Sequence, residues 1–186
     1  MERAFFARDV RDVARELVGW TFLVDGVGGM LVETEAYAQD DPASHSFGGP
    51  TRRNAVMFGP PGHLYVYRSY GIHWCANVVC AEVGVAAAVL LRALEPTSGL
   101  EAMRTRRGLD DPRLLASGPG RLTQALALTG ADDGADVTRP PFTLMPPDVP
   151  PEVVSSPRVG ITRAVEQPWR YSLAGSTFVS RPRPRA

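Results

Sequence analysis

The stretch Gly29-Met30-Leu31-Val32-Glu33-Thr34-Glu35-Ala36-Tyr37 decides how the chain is read. Its alternation is that of a β-strand, and strict period two places Leu31, Glu33, Glu35 and Tyr37 on one face. Two carboxylates and an aromatic on one side make a poor core face. Such a face is either functional or an ordinary solvated sheet surface. Glu33 and Glu35 would stand about 7 Å apart along the strand, within the spacing of an inverting glycosidase pair. Neighbours on one strand rarely flank a bond from opposite sides, so the pair alone does not define an activity.

Working outward, residues 20–25 form a preceding strand joined through the glycine-rich turn Gly26-Val27-Gly28-Gly29. Before it, residues 9–18 set Val10, Val13, Ala14, Leu17 and Val18 on one helical stripe, with Asp9 as cap and Gly19 as stop. A polar loop over 38–61 holds His45 and the Arg52-Arg53 pair. Residues 63–70 and 72–80 read as a hairpin bent at Gly71, and 86–94 as a buried strand. Short helices are expected over 97–107 and 119–128. Residues 132–157, rich in Pro and Asp, read as an irregular excursion. Residues 158–164 and 170–180 read as closing strands, with 181–186 a loose tail. The expected fold is α+β: one domain over 1–186, with a largely antiparallel sheet flanked by helices.

The 186 residues, 44% of them hydrophobic, suit one globular core. No apolar run reaches the roughly 18 residues of a membrane span. The Met1-Glu2-Arg3 start has no apolar signal core, so a cytoplasmic protein without a membrane partner is expected. Cys75 and Cys80 would point to opposite faces of one strand, which argues against a disulfide between them and against a metal site. The net charge of zero conceals alternation. Residues 1–50 carry 4 Arg against 9 acids, 51–130 carry 9 against 5, 131–157 carry 1 against 5, and 158–186 carry 6 against 1. That pattern fits either one basic face with an anionic partner or scattered solvated charge. All 20 basic residues are Arg, so no lysine amine is available for a Schiff base.

Several side chains can carry chemistry. Arg92 ends an apolar strand on a face with Leu90 and Leu94, and a charge there needs a partner or an opening to solvent. Glu35 would serve, either to orient a water or as a plain ion pair. Tyr65, Tyr67 and Tyr70 crowd the approach to Gly71. Aromatics on a hairpin stack on bases or wedge between them, or else pack across strands. Asn77 on the returning strand needs a satisfied hydrogen bond if buried, or holds a neighbouring backbone turn. His45 has no second His or Cys at ligand spacing, which disfavours zinc. Ser117-Gly118-Pro119-Gly120-Arg121 opens a helix, as a capped start or as a phosphate cradle.

Taken in order, Val32-Glu33-Thr34-Glu35-Ala36-Tyr37, His45-Ser46, Arg53-Asn54, Pro61-Gly62-His63-Leu64-Tyr65-Val66-Tyr67, Tyr70-Gly71, Leu90-Leu91-Arg92-Ala93-Leu94-Glu95-Pro96, Ser117-Gly118-Pro119 and Arg158-Val159-Gly160 resemble the alkyladenine (3-methyladenine) DNA glycosylase family of the mammalian type. The resemblance covers essentially the whole chain. It implies a curved antiparallel sheet with a protruding β-hairpin, a monomer, no cofactor and no metal, and double-stranded DNA containing damaged purines as partner. It implies excision of alkylated or deaminated purines such as 3-methyladenine, 7-methylguanine, hypoxanthine and ethenoadenine. By the same resemblance Glu35 is the general base, and Arg92 with the main-chain carbonyl of Val159 holds the attacking water. Tyr37 and Tyr67 sandwich the flipped base, His45 completes the pocket, and Asn77 rejects the exocyclic amine of guanine. Tyr70 fills the gap in the duplex, and Glu33 is structural. Arg52, Arg53, Arg68, Arg121 and Arg158 are the expected phosphate contacts. A catalytically silent damage-binding protein and a nucleoside N-ribohydrolase are the alternatives.

Overall fold

A computed structural model describes residues 2–180. Among the described residues eight strands, every pair antiparallel, form one open sheet. Six run in the order β3 (Leu64–Ser69), β4 (His73–Cys80), β5 (Ala87–Ser98), β2 (Val27–Tyr37), β1 (Thr21–Val24) and β6 (Phe142–Met145), while β7 (Val153–Ser156) pairs with β8 (Arg170–Leu173), which joins β2. Strand β2, Val27–Tyr37, is its axis. Along one edge it pairs with β5, Ala87–Ser98. Its other edge is shared: the first half pairs with β1, Thr21–Val24, and residues 33–35 pair with β8, Arg170–Leu173. Both glutamates therefore lie on a central strand with neighbours on each side, far from any solvated edge.

The turn into β2 is Asp25-Gly26 alone, with both residues at positive φ (51° and 75°). That is the backbone of a two-residue hairpin turn, which Asp-Gly favours. Val27, Gly28 and Gly29 belong to the strand rather than to the anticipated turn. Gly29 is required there by contact: a Cβ would stand 1.9 Å from the carbonyl oxygen of Glu95.

Helices cover one face of the sheet. Helix α1, Val10–Glu16, starts where Asp9 accepts from the Arg11 amide and buries Val10, Val13 and Ala14. Helices α2, Leu100–Arg107, and α4, Pro119–Leu126, add Met103, Leu122 and Ala125 to the same core. Those side chains meet Leu31 and Ala36 of β2, Val89 and Leu91 of β5, and Val78 and Cys80 of β4, His73–Cys80. The opposite face of β5, with Ala88, Leu90 and Arg92, is left for a cavity.

Three expectations change. Residues 132–157 contain β6, Phe142–Met145, and β7, Val153–Ser156. Phe142 and Leu144 alternate inward, and Phe142 stacks on Phe22 at 6.2 Å; proline-rich flanks concealed this short strand. A further short helix, α3, Pro112–Leu115, follows α2, and β5 runs on to Ser98. Residues 158–164 form no strand; they are a looped segment, and the strand expected over 170–180 is only the short β8, Arg170–Leu173. The expected loose tail at 181–186 lies outside the described residues. No helix among the described residues is long and apolar enough to cross a membrane.

Candidate functional site

Strict alternation fails in the middle of β2, and the failure builds the site. The pairing of β2 with β5 shifts between Leu31 and Glu33 and again between Glu33 and Thr34. The first shift leaves Val32 extra on β2 and the second leaves Arg92 extra on β5. Such bulges re-aim side chains. Leu31 therefore joins the helix-covered core, away from Glu33, and Leu94 joins it too, away from Arg92. Val32 packs instead with Ala93 and Val179.

The Arg92 guanidinium, 5% exposed, reaches both carboxylates: its Nε donates to Glu33 at 2.8 Å and its Nη1 to Glu35 at 3.1 Å. Glu33 also accepts from Arg170 Nε at 2.7 Å, from the Ser180 hydroxyl at 2.7 Å and from the Ser180 amide. Burial pushes its carboxyl up, but Arg92, Arg170 and the Ser180 bonds outweigh that and hold it below the usual glutamate range. Glu35 accepts three donors: Arg92, the Tyr37 hydroxyl at 2.8 Å on Oε2, and the Val159 amide at 2.8 Å on Oε1. An ionised carboxylate offers about four lone-pair sites. Glu33 takes four donors, three of them on Oε1, and only Arg92 among their residues lines the cavity described next; Glu35 takes three and keeps a position open on Oε1.

Glu35 is fully buried, and its three partners Tyr37, Arg92 and Val159 all line a cavity of about 660 Å³. The carboxylate therefore sits immediately behind the wall. Val159 meets it through its N–H, whereas the sequence expectation concerned its carbonyl. Tyr67, His45 and Asn77 line the same cavity, so every expected pocket residue gathers there. Strand β3, Leu64–Ser69, supplies Tyr65 and Tyr67, set opposite Asn77 and Cys75 of β4. Asn77 Nδ2 donates to the Tyr65 carbonyl at 3.0 Å, which satisfies it and fixes its orientation. His45 lies edge-on to Tyr67 at 4.4 Å, with Nδ1 3.0 Å from the Tyr65 hydroxyl. Partial burial and the nearby Arg53 cation lower its proton affinity, so the ring is neutral at pH 7. Burial, then the Glu35 charge, raises the Tyr37 phenol well above its usual range, so its proton stays on as a donor.

Tyr70 stands at the hairpin tip, 90% exposed, with φ at 49°. A bulky residue in the left-handed region is uncommon and marks a tip shaped for something other than packing. Of the five arginines expected at phosphates, Arg52, Arg53, Arg68 and Arg121 are exposed, and Arg53 and Arg68 line the cavity mouth. Arg158 is not among them. It is 5% exposed and forms a two-toothed ion pair with buried Asp41, and it also donates to the Ala36 carbonyl at 2.9 Å, so it cannot reach a phosphate.

A family model described as methylpurine-DNA glycosylase (MPG) matches residues 4–177. The chain belongs to the methylpurine-DNA glycosylase family. Proteins carrying the name "Putative 3-methyladenine DNA glycosylase" are similar over nearly the full length. One from Rhodopseudomonas palustris (strain ATCC BAA-98 / CGA009) is 60% identical over 185 residues, covering all of this chain and 90% of the relative. One from Nitrosospira multiformis is 61% identical over 177 residues, covering 95% of this chain and 92% of the relative. One from Agrobacterium fabrum is 58% identical over 179 residues, covering 96% and 91%. These relatives are bacterial, so membership rests on the glycosylase family as a whole and not on its mammalian branch. Within this glycosylase, Asp41, Arg170 and Ser180 went unrecognised in the sequence. Asp41 is 117 positions from its partner Arg158, and Ser180 is 147 from Glu33; nothing local signals either contact.

Proposed function

We propose that the chain is a monofunctional DNA glycosylase that flips a damaged purine into the cavity and hydrolyses its N-glycosyl bond, leaving an abasic site. The observation that carries this reading is the open acceptor site on Glu35, set behind a cavity wall of aromatic rings. A water taken up there, with the Val159 carbonyl as a second anchor, attacks C1′ of the deoxyribose. Its proton passes to Glu35 while the bond to the base breaks. Arg92 keeps the carboxylate in place and balances its charge.

The volume suits a single base with its sugar. Tyr37 and Tyr67 stack on the flipped base, His45 closes the pocket, and Asn77 excludes the exocyclic amine of normal guanine. Chemistry on a base requires its removal from the stack, which costs least at damaged pairs. Tyr70 fills the vacated space. A ring-alkylated purine is cationic and leaves readily, so one base and one water suffice; hypoxanthine needs a proton as it departs. With no lysine in the sequence, Schiff-base strand cleavage through a lysine is not expected. Arg52, Arg53, Arg68 and Arg121 hold phosphates, so affinity should fall steeply with salt. The protein acts as a monomer.

The test is single-turnover excision from duplexes carrying one hypoxanthine or one ethenoadenine, alongside release of 3-methyladenine and 7-methylguanine from alkylated DNA. Base release without strand scission is expected. Tight lesion binding without release would sink the reading in favour of a silent binder. Turnover of free nucleosides, indifferent to Tyr70→Ala, would point to a nucleoside hydrolase.

A further inference from the structure

Behind Tyr37 lies a charge that the reaction proposed above does not use. The Arg158 guanidinium carbon stands 4.7 Å from the centroid of the Tyr37 ring and 5.1 Å from that of Trp169, between two aromatic groups. Tyr37 lines the cavity and Arg158 does not, so the cation backs the ring on the side away from the cavity. Asp41 faces that cation with both carboxylate oxygens, and both side chains are fully buried. The remaining polar neighbours of Arg158 are the Ala36 and Ala164 carbonyls, which carry no net charge. Among the described residues Asp41 is thus the one carboxylate paired with the permanent charge behind the ring.

A base stacked on the cavity side of Tyr37 would lie roughly 9 Å from the guanidinium, allowing for ordinary ring stacking. Unit charges at that separation, with no water between them, still interact appreciably. For a neutral base the sign of the charge behind the ring matters little on binding. For a cationic base it matters directly: an unbalanced guanidinium repels it, and also withdraws the ring electrons that a cation would meet.

We propose that Asp41 is a specificity-determining residue: by neutralising Arg158 behind the Tyr37 platform it permits the cavity to accept positively charged, ring-alkylated purines as well as neutral ones. This rests on the glycosylase reading above. Asp41 touches no substrate and acts through Arg158 and Tyr37.

The experiment compares two lesions in each protein: 7-methylguanine released from methylated duplex DNA, and hypoxanthine released from a duplex carrying one such base. The quantity read is the ratio of their kcat/KM values. In Asp41→Asn the ratio of cationic to neutral excision should fall about tenfold, with the loss mainly in KM for 7-methylguanine. Asp41→Glu, which keeps the charge, should restore it. Arg158→Gln removes the cation behind the ring and should not lower the ratio, in contrast to Asp41→Asn. Thermal melts of each variant separate folding losses from the ratio, because a purely structural clamp lowers both activities in proportion. Proportional loss overturns the proposal, as does insolubility of both Asp41→Asn and Arg158→Gln, which would mark the pair as a fold clamp. If the unaltered protein releases neither base, the glycosylase reading falls instead.

Discussion

Glu33 and Glu35 are two residues apart on one strand, equally buried, and share one arginine, yet their surroundings differ. Glu33 is enclosed by four donors from Arg92, Arg170 and Ser180, and Arg170 and Ser180 do not line the cavity. Glu35 shares Arg92 but finds its other donors in Tyr37 and Val159, which are cavity-wall groups, and one acceptor position remains. A carboxylate whose other donors lie away from the cavity can hold strands together but is out of reach of a water taken up there. One whose donors form the cavity wall is within reach. The difference lies in neither residue type nor burial; it is the count and origin of the donors.

The sharpest way to break that contrast is Glu35→Gln. Excision should fall about 10²–10⁴-fold, the ordinary contribution of a general base, while lesion binding persists. Arg92 keeps Glu33, so stability should drop by only about 1–2 kcal/mol. Single-turnover kinetics with a gel-shift on the same duplex measures both, and unimpaired excision would remove Glu35 from the chemistry. Glu33→Gln is the mirror image. Breaking a buried, multiply paired charge should cost about 3 kcal/mol or more, read by urea unfolding, while excision per folded molecule suffers less than in Glu35→Gln.

Acid sharpens the same distinction. Glu33 has its carboxyl pKa held below the unfolded value, so it favours the folded state fully above the ordinary glutamate range. That contribution is lost as pH falls through the depressed folded value. Stability measured from pH 7 down to pH 3 should show a steep acid limb, and Glu33→Gln should flatten it; an unchanged limb would assign the loss to other carboxylates. The smallest effect belongs to Tyr37→Phe. It removes one donor from Glu35 but keeps the stacking ring, so a stability loss of about 1 kcal/mol and less than tenfold change in excision are expected. A loss as large as that of Glu35→Gln would mean that the hydroxyl itself takes part in the reaction.

Local pattern carried much of the fold. The stripe of Val10, Val13 and Ala14 and the Asp9 cap gave α1, and alternation gave the hairpin of β3 and β4 with Tyr70 at its tip. The Asp25-Gly26 turn was legible too, but the glycines after it masked it. What misled was any feature set by pairing. The bulges at Val32 and Arg92 depend on how β2 meets β5, and they swapped Leu31 and Leu94 onto the core face. Arg158 looked like a surface charge because its partner Asp41 is remote in sequence.

The sequence by itself determined which side chains exist to do chemistry: a carboxylate strand, a tyrosine hairpin, an all-arginine set of cations. Periodicity and turn residues act over a few positions, so a single segment displays them. The tertiary structure alone decided which carboxylate abuts the cavity and which arginine lies buried behind the cavity wall. Donor counts and burial are sums over groups brought from opposite ends of the chain, Ser180 to Glu33 and Val159 to Glu35, and only folding brings them together.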